Sequence, residues 1–366
     1  MLRAGTPGSF EPPFWRCNKK TSSSLSIGHP DWAGALSVCL EPGAPMAFRF
    51  VLGPVCALSL AALPLWGKAG EPPAALPLQV ALDRAGFSPG VIDGAMGRLT
   101  RQAIKGFQEA NGIAVTGNLD AKTQAALGGL PDAIESVEVT GGAPLIAGIP
   151  ESMADKAKLD ALSYTSIGEA LSERYHTTSK LLRALNPGAD FSAGSRISVP
   201  AVRAADNNAE GAGGWDATLD QLSVAKVQAA AAKVIVDRSD RQVRAFDSAG
   251  KLLAQFPATI GSEHDPLPLG EWKIRGVAKL PSFNYNPELF WDADPSDGKE
   301  KLPPGPNGPV GVVWIDLSKD HYGIHGTPEP ETIGRTESHG CIRLTNWDAA
   351  RLAQMVRPGT PVTLQD

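Results

Sequence analysis

Cysteine is scarce in this chain: Cys17, Cys39, Cys56 and Cys341 are the four in 366 residues. Runs of Lys and Arg that could track a phosphate backbone are missing, and the formal net charge is −5, which argues against nucleic acid as a partner. The His-Glu-x-x-His spacing of zinc peptidases is also absent. Low hydrophobicity is not a feature: 42% hydrophobic and 20% charged residues suit a folded globular protein and exclude wholesale disorder. The 39 glycines and 31 prolines predict many turns, and the length allows two or three domains.

The N-terminus decides what the cysteines mean. Residues 1–45 carry no helical or strand periodicity. From Met46, one basic residue, Arg49, precedes the apolar run Phe50–Trp66, which ends at the small-x-small site Gly67-Lys68-Ala69. That is the layout of a secretory signal peptide over 46–69. The run is near the lower limit for a membrane span and contains Gly53, Pro54 and Pro64, so no stable membrane insertion is expected after cleavage. A signal behind 45 extra residues works poorly. Translation is therefore expected to start at Met46, with 1–45 a start-site extension or a disordered tail. Cleavage near Ala69 removes Cys17, Cys39 and Cys56 and leaves a more acidic chain whose one thiol is Cys341. A single thiol in an oxidising compartment cannot form an internal disulfide, and among His, Gly and Arg it reads as reactive.

Residues 75–130 read as three short helices. Leu78 to Leu82 starts the first, Leu99–Asn111 is the second, with Ala103, Ile104 and Phe107 on one face, and Asp120 to Leu127 is the third. This stretch resembles the type 1 peptidoglycan-binding domain. The resemblance rests on Gly86, Phe87, Gly90, Asp93 and Gly94, then Thr100, Ala103, Ile104, Phe107 and Gln108, then Val115 to Asp120. It implies peptidoglycan as a partner.

Residues 158–202 read as strand, helix, helix, strand, and are similar to a degenerate LysM module through Leu185-Asn186-Pro187 and Gly194 to Pro200. Such a segment would be either a glycan binder or a βααβ spacer. Residues 203–232 read as a linker, Gly-, Ala- and Asn-rich in its first half. Residues 233–366 hold many short strands and one late helix, Asn346–Val356, which predicts a mainly-β, sandwich- or barrel-like domain. Residues 281–309 carry seven prolines and almost no periodicity. A loop that long is usually the wall or lid of a cleft.

The chemistry concentrates in Ile324–Leu344. Cys341 sits in a Ser338-His339-Gly340-Cys341 turn, two residues before Arg343. An imidazole, a turn rich in backbone N–H groups, or a cation lowers a thiol pKa, and all three are at hand. The N–H groups of Gly340 and Cys341 could form an oxyanion hole. His339, two residues from Cys341, has little freedom to aim its ring at the thiol and reads as a brace. His325, 16 residues upstream, is the better base.

Ile324-His325-Gly326-Thr327 and Ser338 to Leu344 resemble the signature of the L,D-transpeptidase catalytic domain (YkuD-type). The resemblance implies that Cys341 is the nucleophile and forms a thioester, and that His325 carries the proton. It also implies that the Gly326 carbonyl orients the His325 imidazole, and that Ser338 and Arg343 meet the substrate. The implied substrate is a peptidoglycan tetrapeptide stem cut after diaminopimelate, in the periplasm of a Gram-negative-type cell, with no cofactor. The acceptor stays open among stem amines, a lipoprotein lysine, a D-amino acid and water. The other readings are a zinc hydrolase using His321, His325, His339 and Cys341, and a non-catalytic wall-binding scaffold.

Overall fold

The computed structural model describes residues 73–202, 214–294 and 296–366. The expected extension and signal peptide, with Cys17, Cys39 and Cys56, and residues 203–213 of the expected linker lie outside the described residues.

Three helices open the described chain: α1 (Leu76–Arg84), α2 (Arg98–Ala110) and α3 (Ala121–Ala126). Leu78, Leu82, Phe87, Ile104 and Phe107 bury one shared apolar cluster. Phe87 and Phe107 meet edge to face, 5.6 Å between centroids. Gln108, fully buried, ties the loop before α3. It donates to Thr116 Oγ1, Asn118 O and Thr123 Oγ1 and accepts from the N–H groups of Thr116 and Gly117. A buried amide satisfied this fully fixes a loop that has little apolar content of its own.

The middle segment is bounded by two paired strands with three short helices between them, and it begins earlier than 158. β1 (Ile134–Glu138) pairs antiparallel with β2 (Arg196–Pro200), with α4 (Met153–Lys156), α5 (Ile167–Arg174) and α6 (Ser179–Leu185) between them. Residues 158–162 are not a strand. Ser152, Ser166 and Thr178 each cap a helix by accepting the N–H three residues on. Asn186 joins the end of α6 to β2 through hydrogen bonds with Leu182 O and both backbone groups of Ser198.

Residues 214–232, expected as linker, are instead folded. α7 (Trp215–Gln221) and the turn after it insert Leu219, Leu222 and Val224 into the main core, each at most 1% exposed. The polar composition that suggested a linker belongs to its first half alone.

The last domain contains β3 (Lys233–Asp237), β4 (Gln242–Phe246), β5 (Leu252–Pro257), β6 (Gly270–Lys279), β7 (Phe283–Tyr285), β8 (Glu300–Leu302), β9 (Val313–Leu317), β10 (Gly323–His325), β11 (Ile342–Arg343), α8 (Asn346–Met355) and β12 (Pro361–Gln365). β7 and β8 fall within 281–309, which was expected as a loop without periodicity; eight of the ten strands form one sheet in the order β11-β10-β9-β6-β12-β3-β4-β5. Beyond β5, Thr259 exchanges backbone hydrogen bonds with Arg343 of β11, at 3.0 and 2.8 Å. The two ends of the sheet therefore meet, which gives the barrel-like closure expected for the domain. All five residues of β9 are buried, so both faces of the sheet are covered there. α8 plugs the core with Trp347, fully buried, and fully buried large side chains of this kind contribute roughly 1.5–3 kcal/mol each or more.

The N-terminal helices are packed on the sheet. α2 lies along β5, and Ser88 N–H and Gly86 O bond the backbone of Gln255. At Gly106 a Cβ would strike the Gln255 side chain, so glycine is what lets α2 approach. The edge of β5 is thereby covered. Beneath lies a buried polar network. Arg351 of α8 grips Asp83 of α1 with two hydrogen bonds (2.9 and 2.8 Å) and also reaches Asp348 (3.3 Å). Ser88 Oγ donates to Asp348 (2.7 Å). His176 of the middle segment faces Asp83 (3.1 Å) and Leu222 O (2.7 Å) and stacks on Trp347. Burial alone would raise the Asp83 carboxyl, but Arg351 and His176 hold it well below the usual carboxylate range.

Candidate active site

The topology brings the sequence-predicted residues together. β10 runs between β9 and β11, pairing His325 with Trp314 on one side and with Arg343 on the other. Cys341 immediately precedes β11, so its thiol and the His325 ring border one cavity of about 370 Å³ that Arg343, His339 and Trp314 also line. The His325 ring stacks on Trp314, 5.5 Å between centroids.

His325 Nδ1 lies 2.7 Å from Gly326 O. A carbonyl can only accept, so Nδ1 carries the hydrogen and a neutral ring presents Nε2 as a base. Ser338 Oγ donates to Cys341 O at 2.6 Å. This hydrogen bond braces the turn. Gly340 has φ +96°, a conformation that suits glycine, and a Cβ there would press on Tyr322. His339 bonds Asp292 at 2.9 Å and meets Phe290 edge to face, so it braces the loop across the cleft.

The electrostatics differ from the sequence expectation of a depressed thiol pKa. Burial pushes the Cys341 thiol up to about 12, against the opposing pull of the Gly323 N–H and Arg343. Burial, with the Arg343 charge, pushes His325 down to about 3, against the Gly326 hydrogen bond. The same water-poor setting disfavours both ions, so the resting pair is thiol and neutral imidazole. Sγ points to the His321 carbonyl, 3.9 Å away. His321, His325, His339 and Cys341 do not converge as ligands: among the described residues no group of three or more His, Cys, Asp or Glu could hold a metal ion.

Several lining residues were not singled out in the sequence. The proline-rich stretch 281–309 is a flap built on the β7–β8 hairpin, and it walls the cavity with Tyr285, Phe290, Asp292, Asp294 and Asp297. Burial and the Asp297 hydrogen bond raise the Tyr285 hydroxyl to about 12. Met153 of α4 reaches the same cavity from the middle segment. The length and proline content of 281–309 pointed to a wall; nothing marked Met153.

Comparison with known proteins bears on the family of both domains. The family model of the L,D-transpeptidase catalytic domain (YkuD) matches residues 231–364, and that of the "Putative peptidoglycan binding domain" matches 73–127. Residues 128–230 lie outside both matches. The chain is 29% identical over 199 residues to the "Putative L,D-transpeptidase YkuD" of Bacillus licheniformis, covering 54% of this chain and 92% of that one. It is 32% identical over 129 residues to a "Putative L,D-transpeptidase in ATP synthase subunits region" of Fuscovulum blasticum, covering 35% of this chain and 67% of that one. A solved L,D-transpeptidase from Mycobacterium smegmatis superposes with a TM-score of 0.30 at 23% identity, over 36% of this chain and 58% of that one. A mainly-β domain with a Cys–His cleft, preceded by a peptidoglycan-binding helical domain, places this chain in the L,D-transpeptidase family of transferases. Its field of action is accordingly the cell wall, and among the described residues no helix is long and apolar enough to cross a membrane.

Proposed function

We propose that the protein is an exported, periplasmic cysteine L,D-transpeptidase acting on peptidoglycan tetrapeptide stems through a thioester on Cys341. The observation that carries this reading is the His325–Gly326 hydrogen bond beside Cys341 in one cleft, which leaves Nε2 free to take the thiol proton. Substrate entry expels the remaining water. Sγ then attacks the carbonyl carbon of the stem's third residue as its proton passes to Nε2. The N–H groups of Gly340 and Cys341 receive the oxyanion. Collapse breaks the amide bond, the terminal D-alanine amine leaves with the proton from His325, and the acyl group stays on sulfur. An acceptor amine attacks the thioester, gives a proton to His325, and the thiol returns.

Arg343 is the cleft's cation for a substrate carboxylate, and among the described residues no carboxylate pairs with it. Asp292, Asp294 and Asp297 line the same cavity. That polarity suits a substrate carrying both carboxylate and ammonium groups and favours an amine acceptor over water. The helices of 75–130 would hold the enzyme on the wall, and the LysM-like segment would serve as a spacer in the same assembly.

Purified muropeptides incubated with the enzyme test the reading. A 3–3 cross-linked dimer or an exchanged tetrapeptide is the expected product, and Cys341→Ala should make neither. Accumulation of tripeptide alone would replace the transferase reading with a carboxypeptidase; stoichiometric zinc together with an active Cys341→Ala variant would replace it with a metal hydrolase.

A further inference from the structure

Glu173, at the end of α5, is a carboxylate that no feature of the catalytic signature calls for, yet it is only 7% exposed. Its Oε2 accepts from Tyr164 Oη at 2.5 Å, and its Oε1 accepts from Asn346 Nδ2 at 2.7 Å. Asn346, the first residue of α8, is fully buried. Its Nδ2 also donates to Pro306 O (3.1 Å), and its Oδ1 accepts the Val312 N–H (3.1 Å). These partners admit one orientation of the carboxamide, because a flipped amide would set N–H against N–H and oxygen against oxygen. In that orientation Oδ1 lies against Gly326: a Cβ on Gly326, or on the neighbouring Gly311, would collide with it. Gly326 is the residue whose carbonyl holds His325 Nδ1.

We propose that Glu173 is a positioning residue of the transfer reaction: it fixes the Asn346 carboxamide against Gly326, and so sets the carbonyl that orients His325. The proposal rests on the catalytic reading of His325 given above. It gives the middle segment a role inside the active site, distinct from wall binding. A second set of contacts points the same way. Leu162 N–H bonds Pro304 O and Asn307 N–H bonds Leu162 O, both at 2.9 Å. The Asn307 side chain bonds Glu169 (2.6 Å) and Ser163 O (2.9 Å). The middle segment therefore grips the base of the flap as well as the backbone behind the base.

The test uses the full exported chain. Nitrogen-15 NMR of the imidazoles reads the His325 tautomer directly. Wild type should show hydrogen fixed on Nδ1; Glu173→Ala should show exchange between Nδ1–H and Nε2–H forms, with kcat lower by about tenfold and KM within about twofold. Glu173→Gln keeps an oxygen for Asn346 Nδ2 and should restore most of kcat and the single tautomer. The double variant Glu173→Ala/Asn346→Ala should be no worse than Asn346→Ala alone. If Glu173→Ala does not fold, Glu173→Asp, one methylene shorter, carries the same expectation. An unchanged tautomer and kcat in the Ala or Asp variant, a Gln variant as impaired as Ala, or additive losses in the double variant would overturn the proposal. A shifted tautomer with unchanged kcat would instead mean that His325 is not the base, which fails the functional reading and leaves the positioning contact standing.

Discussion

Arg351→Ala should reveal how far the helical domain and the catalytic sheet are one structure. The guanidinium makes two hydrogen bonds to Asp83 and one to Asp348, and Asp83 is fully shielded from solvent. Removing it leaves a buried carboxylate whose remaining contact of the pair is the His176 ring at 3.1 Å. Breaking a buried pair in this way costs about 3–5 kcal/mol, far more than a surface pair. The cost should depend on pH. With Arg351 present, the Asp83 pKa is depressed, so its stabilisation is present above its ordinary value of 3.8 and is lost as pH falls. Without Arg351, burial raises the Asp83 pKa, the group protonates sooner, and the gap to wild type should be widest near pH 7 and narrow as the medium is acidified. Asp348 adds to this trend: burial pushes it up to about 6 against the pull of Arg351, so without Arg351 it rises further and the variant loses more stability than wild type as pH rises through 6. Urea unfolding followed by tryptophan fluorescence and far-ultraviolet dichroism measures the difference. A double-mutant cycle with Asp83→Ala should return a coupling of about 1–3 kcal/mol. A loss below about 1 kcal/mol for Arg351→Ala, or strict additivity in the cycle, would refute the reasoning.

Four further outcomes are expected. Gly326→Ala drives a methyl into Asn346 Oδ1, so turnover should drop by about tenfold or more while the protein stays folded; wild-type turnover would contradict the close packing. Burial pushes Glu173 up to about 7 against the Tyr164 and Asn346 hydrogen bonds, so its folded-state pKa lies above its ordinary value of 4.5. Stability linked to it is greatest below pH 4.5 and is lost as pH rises through 7, and Glu173→Gln should gain on wild type by about 3 kcal/mol across that window in denaturant titrations. Because the resting Cys341 is held as thiol, iodoacetamide should alkylate it slowly at pH 7 and faster with each added pH unit through pH 10, whereas a plateau below pH 8 would indicate a pre-formed thiolate. His339→Ala releases Asp292 from the turn, and a raised KM with stability changed by less than about 1 kcal/mol is the expected result in steady-state assays and melts.

The reactive stretch was legible because its residues are close in sequence: His325, Gly326, Gly340 and Cys341 lie within 17 residues, and two short strands suffice to bring them together. The N-terminal helices were legible through their apolar spacing and through residues such as Gln108, whose buried amide fixes a loop. β1 escaped because Ile-Glu-Ser-Val-Glu buries little on either face; it is held by pairing with β2, not by an apolar stripe. The fusion of the domains was illegible for a different reason. Asp83, His176 and Arg351 are ordinary polar residues 93 or more positions apart, and their value comes from meeting in a dry interior. The direction of the Cys341 shift was missed for the same cause: neighbouring residues suggested a thiolate, while burial, invisible in sequence, outweighs them.

The central claim is that Cys341 carries the acyl group. Intact-protein mass spectrometry, after the enzyme is mixed with a tetrapeptide stem and quenched in acid, tests it most directly. The expected adduct equals the stem less its terminal alanine, maps to Cys341, is released by an added amine and is absent from Cys341→Ala. An enzyme that turns the stem over with no adduct at any quench time, or with the adduct on another residue, would contradict it.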